Sequence, residues 1–190
     1  MSRAPSSAPP RRRLISAVIA LGLLTGVSLV VGTRAPGAWA QTGQSVADAV
    51  IKAAAPQLAA WIASRRDVLA PRCLPPPRQI VEQLTPYFPP LLLQPVRFCV
   101  GWSRETGGGP FLMTGARAMT LDHIIVFRDE GVARDPVIWA HELTHVQQYE
   151  RWGLSKFSDH YLRSRAEVEA EAWQAAADYK MWALETNRIK

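Results

Sequence analysis

Two histidines stand four residues apart in His141-Glu142-Leu143-Thr144-His145, and a glutamate directly follows the first. On a helix, residues at this spacing lie on one face in neighbouring turns, so both imidazoles can converge on one ion. Glu142 stands about 100° further round the axis. Its carboxylate can therefore sit beside an open coordination position without ligating the metal. Neutral imidazole nitrogens bind zinc at about 2.0–2.1 Å, and a catalytic site keeps one position for water. Zinc brings the pKa of that water to about 7 and polarises a scissile carbonyl. A carboxylate within reach then takes the proton as general base. This spacing assigns His141 and His145 to the metal and Glu142 to the proton, provided the segment is helical. The competing account is an ordinary buried helix whose two histidines are satisfied by hydrogen bonds.

A hydrolytic zinc site needs a third protein ligand. A third histidine at metzincin spacing would require Gly at 148 and His at 151, where this chain has Gln148 and Arg151. The remaining source is a carboxylate from a following helix, and Glu167, Glu169 and Glu171 supply three. Glu167 and Glu171 share a helical face, while Glu169 points away from them. Glu167 is expected as the ligand. Glu171, one turn later, is expected to hydrogen-bond a ligand histidine or to ligate in its place. Ser164-x-x-Glu167 also reads as a capping box, in which Glu167 serves backbone donors instead.

The elements that must position these groups are legible around them. Asp135 suits an N-cap and Pro136 the first helical position, so a helix starts there and runs to about Trp152, with Gly153 as its stop. Short strands are expected at Val96–Trp102, Phe111–Thr114, Ala118–Leu121 and His123–Phe127. Ile124-Ile125-Val126-Phe127 is fully apolar, as a strand covered on both faces would be. By analogy with zincins, this strand is expected to offer an edge to an extended peptide. Beyond Asp129 the chain reads as helical to its end. Upstream, Ser45–Ala55 and Gln57–Leu69 read as helix with Pro56 between them. Pro71, Pro75, Pro76 and Pro77 make a connector, and Arg78–Leu84 is a short helix that Pro86 ends. Leu91-Leu92-Leu93 is expected to be buried. The Gly107-Gly108-Gly109-Pro110 run lacks a phosphate-binding frame and reads as a loop. Trp139, Trp152, Trp173 and Trp182 fall on helices and read as packing residues.

Of the 190 residues, 48% are apolar and 20% charged, with a net charge of +6. Residues 1–40 hold five arginines and no acid, so residues 41–190 are nearly neutral. The basic character is therefore no sign of a nucleic-acid partner. Arg11-Arg12-Arg13, the uncharged stretch Leu14–Val31 and Ala38-Trp39-Ala40 have the layout of a signal peptide. The expected organisation is a signal peptide (1–40), a helical N-terminal part (41–95) and a core (96–190). The mature protein would be periplasmic or secreted, with no stable membrane span after cleavage. Cys73 and Cys99 would pair in such an oxidising compartment.

His141-Glu142-Leu143-Thr144-His145-Val146-Gln147-Gln148, the strand before it and Glu167-x-Glu169-Ala170 resemble a zinc metallopeptidase domain of unassigned function. That domain often accompanies extracellular contractile injection systems, and it is similar more broadly to gluzincins. The resemblance spans about residues 96–180. It implies zinc at His141, His145 and Glu167, with Glu142 as base; the chain departs from it at Glu171, where gluzincins more often carry aspartate. It also implies an oxyanion-stabilising side chain, for which His160, Tyr161 and Arg163 are candidates beside their structural roles. The expectation is thus an α+β, mainly helical zincin-like domain with a small sheet before the histidine helix. Its expected function is an exported zinc-dependent peptide hydrolase acting on a peptide or protein substrate. The alternative is a zinc-binding but catalytically inactive interaction or assembly module.

Overall fold

A computed structural model describes residues 36–85, 87–101 and 115–189, with the backbone alone for 36–44. The apolar stretch 14–31, the Gly-rich run 107–110 and the expected strand at 111–114 lie outside the described residues. The chain runs α1 (Pro36–Leu69), α2 (Arg78–Leu84), α3 (Pro90–Leu93), β1 (Arg97–Val100), β2 (Ala118–Leu121), β3 (Ile124–Phe127), α4 (Glu130–Ala133) and α5 (Pro136–Glu185). This is the expected α+β, mainly helical class, with the small sheet directly ahead of the histidine-bearing helix.

β3 lies in the centre of the sheet, in the order β1-β3-β2, parallel to β1 and antiparallel to β2. Its side chains alternate between two apolar clusters. Ile125 and Phe127 join Trp139, Leu143 and Tyr179, while Ile124 and Val126 join Ile62, Leu69, Tyr149 and Phe157. All four are fully buried, as their composition predicts. The expected peptide-binding edge is corrected here: β3 is the central strand, and hydrogen bonds to β1 and β2 occupy both its sides. Asp122 turns β2 into β3 with φ 61°, a left-handed conformation that aspartate tolerates. Arg66 of α1 holds that turn at 2.8 Å.

α1 continues straight through Pro56. Proline inside a helix removes one backbone donor and crowds the preceding turn. Here Ala55, Ile62 and Leu69 are buried on one side of α1, so packing against the rest of the fold carries the helix across it. Its Ser45–Leu69 stretch is long and apolar enough to cross a membrane by length and composition. Leu92 and Leu93 are buried as expected, whereas Leu91 is exposed.

Cys73 and Cys99 form a disulfide across a sequence separation of 26. Beside it Leu74 and Phe98 exchange backbone hydrogen bonds of 2.9 and 2.8 Å, so the proline-rich connector is stitched to β1. Closing a loop of this size restricts the unfolded chain. Replacing both cysteines by serine is expected to lower the unfolding free energy by roughly 3–4 kcal/mol. A denaturant titration should show this as a lower midpoint, with a steeper slope because the unfolded chain without the cross-link exposes more surface.

α5 departs from helical geometry at Gly153 (φ 71°, ψ 163°) and Ser164 (φ −138°, ψ 48°). It therefore consists of three helical segments. The conformation at Gly153 is one that only glycine adopts freely, and this is the stop expected from sequence. Leu143 and Val146 of the first segment share a cluster with Ala176, Tyr179 and Ala183 of the last. The two outer segments are thereby brought together, and the site forms between them.

Candidate metal centre

The first segment of α5 is fixed at its start. Asp135 accepts a hydrogen bond from the Val137 amide at 3.0 Å, and Pro136 occupies the first turn. Trp139 is fully buried and donates from Nε1 to the Ala133 carbonyl at 2.7 Å. His141, Glu142 and His145 are consequently held in the interior, at 5%, 4% and 6% exposure. The two Nε2 atoms lie 3.2 Å apart.

The carboxylate that meets them is Glu169. Its Oε2 lies 3.5 Å from His141 Nε2 and 3.9 Å from His145 Nε2. Glu167, the residue expected from sequence, is exposed and lies outside this group. The cause lies in the phase of the last segment. Val168, Ala172, Ala176, Tyr179 and Ala183 form its buried stripe. Glu169 borders that stripe and faces the histidines, whereas Glu167 lies across the helix from it. The apolar stripe was the available signal; the shared face of Glu167 and Glu171 was the misleading one.

Four ligands at about 2.0–2.1 Å around a tetrahedral zinc are separated by about 3.3 Å. The three donor atoms here stand close to that spacing. Their kind, two imidazole nitrogens and one carboxylate oxygen, also suits a divalent cation. His141, His145 and Glu169 can therefore hold a metal ion.

A buried network fixes the orientation of two of the three. Gln148, fully buried, donates from Nε2 to the Val168 carbonyl at 3.1 Å and to Glu171 Oε2 at 3.0 Å. Both partners are acceptors, so the amide cannot be turned round. Its Oε1 must then accept from His145 Nδ1 at 2.8 Å. That places the proton of neutral His145 on Nδ1 and leaves the Nε2 lone pair free for a metal. Glu171 is in turn held by Arg151 at 2.8 Å. Its expected role beside a ligand histidine is realised at one remove, through Gln148. Outer partners of this kind typically contribute 10–100-fold to metal affinity. Gln148→Ala is expected to weaken binding by about that factor, measurable by competition with a chromophoric chelator.

Tyr161 holds Glu169, donating from its hydroxyl to Oε1 at 3.1 Å and leaving Oε2 for the histidines. Burial, together with the negative charge of Glu169, raises the pKa of the Tyr161 hydroxyl, so it remains a donor through the neutral range. For Glu169, burial acts to raise the pKa, but the hydrogen bond with His141, the proximity of His145 and the Tyr161 hydroxyl outweigh it and hold the value at about 2. Of the other oxyanion candidates, His160 packs on Trp152 and Arg163 pairs with Asp159 and Asp48.

Glu142 has its own support. The hydroxyl of Thr120, on β2, donates to Glu142 Oε2 at 2.6 Å, and the Thr120 carbonyl accepts from Tyr149 at 3.3 Å. The sheet thus orients the expected base. No sequence signal pointed to Thr120, because the pairing bridges 22 residues.

Residues 111–153 match the family model of the eCIS core domain. This eCIS core match takes in β2, β3, α4 and the first segment of α5, and with them Thr120, His141, Glu142 and His145. It stops short of Glu169 and covers well under half of the chain. No curated protein and no solved structure matches the chain.

Proposed function

We propose that this chain is an exported zinc-dependent peptide hydrolase. One observation carries the reading. Three donor atoms converge from two helical segments, and a buried glutamate directly follows the first ligand. Zinc is the ion of this reading because two histidines and a glutamate are a ligand set of hydrolytic zinc sites, and a glutamate directly after the first histidine suits the general base of such a site. Bound there, zinc supplies Lewis-acid polarisation of the substrate carbonyl and acidifies a water.

The chain's own residues do the rest. His145 presents Nε2 because Gln148 occupies its other nitrogen. Glu169 presents Oε2 because Tyr161 occupies Oε1. Glu142, steered by Thr120, removes the proton of the attacking water and passes it to the leaving amine. Export is supported by the Arg11-Arg12-Arg13 and Leu14–Val31 pattern and by the disulfide.

The test is digestion of an unbiased peptide library by the zinc-loaded protein, read by mass spectrometry. Reproducible cleavage at restricted positions supports the reading. An intact library at full zinc occupancy defeats it. That outcome would favour a zinc-binding assembly module, the reading to which the eCIS core match lends its weight.

A further inference from the structure

The tryptophans of α5 do not share one fate. Trp139 is fully buried and Trp152 and Trp182 are half-buried, but Trp173 is 51% exposed. Its expected packing role therefore holds only for the part of the ring that is covered. Trp173 lies one turn beyond Glu169 and so projects from the same side of the helix. Its ring centroid is 4.2 Å from that of His141, with the planes 48° apart. One part of the indole therefore covers a metal-centre imidazole whose Nδ1 is buried and has no hydrogen-bond partner among the described residues. The rest of the indole remains open to solvent beside the metal centre. Beyond it, exposed Ala177, Met181 (58%) and Leu184 (41%) continue the apolar face along the last segment. The eleven steps of helix from Trp173 to Leu184 carry this face about 16 Å along the helix.

We infer that the open face of Trp173 receives a large apolar side chain of a polypeptide whose backbone lies against the metal centre. The site then selects peptides with an aromatic or long aliphatic residue next to the bond presented to Glu142. A flat indole gains most from such a side chain, through burial and ring contact, and little from alanine. The inference rests on the hydrolase reading for the bond, but its binding component can be measured without turnover.

The probes are decapeptides differing only in a central Phe, Leu or Ala. Their binding to the zinc-loaded full chain carrying Glu142→Gln is followed by fluorescence anisotropy. The Phe and Leu peptides are expected to bind about tenfold tighter than the Ala peptide. Trp173→Ala should erase the difference, and Trp173→Phe should keep most of it. Zinc affinity is measured for each variant, because Trp173 also packs on His141. If Trp173→Ala sheds zinc, Trp173→Gln, which keeps bulk against that ring, takes its place. A preference that survives loss of the indole with zinc retained overturns the inference, and so does the absence of any preference in the parent. Failure of the hydrolase reading shows separately, as wild-type protein that binds these peptides and leaves them uncut.

Discussion

Glu142→Gln is expected to lower peptide hydrolysis by roughly 10²–10⁴-fold, the usual contribution of a general base, with zinc content unchanged. The substitution is nearly isosteric. Its amide oxygen can still accept from the Thr120 hydroxyl, so the buried contact between α5 and β2 survives. What is lost is the capacity to take a proton from water. The check is kcat/KM on a peptide cleaved by the wild type, alongside metal stoichiometry by elemental analysis. Equal rates in the two proteins would remove Glu142 from the chemistry. A loss of zinc together with the activity would mean that Glu142 supports the metal instead.

The second large effect separates two glutamates two positions apart. Glu169→Ala is expected to weaken zinc binding by more than about 100-fold, beyond the range of outer partners. Glu167→Ala should stay within about twofold of wild type. The two side chains project about 160° apart around the helix, so no small adjustment exchanges them. Glu169 is also the carboxylate whose pKa the histidines and Tyr161 hold at about 2 against the effect of burial, whereas Glu167 is exposed. Chelator competition on both variants decides the matter. Weaker binding in the Glu167 variant alone would restore the residue expected from sequence.

Local signals carried far in this chain. Asp135 and Pro136 marked the start of α5, Gly153 its first break, and four consecutive apolar residues the covered strand β3. Ala118–Leu121 falls where a short strand is expected, and Arg78–Leu84 where proline punctuation puts a short helix. Cys73 and Cys99 paired as their number implied. The histidine pair and its glutamate were legible because their spacing is a property of one helix. Misreadings arose where a long-range contact decides. Pro56 suggested a break, but burial on both sides of it keeps α1 whole. β3 gave no hint that both its neighbours would be filled. The choice among Glu167, Glu169 and Glu171 depends on the side the last segment turns toward the first. Only the stripe from Val168 to Ala183 records that.

The run between the breaks at Gly153 and Ser164, residues 154–163, acts as a gauge of fixed length. A surface loop absorbs an inserted residue by bulging. A helical spacer instead passes the change on, as about 100° of rotation and 1.5 Å of travel for everything downstream. One residue more or fewer would swing Glu169 and Trp173 off His141 together, although every ligand was still present in the chain. The count of residues in this spacer is therefore as much a condition of the chemistry as the identity of the side chains it delivers.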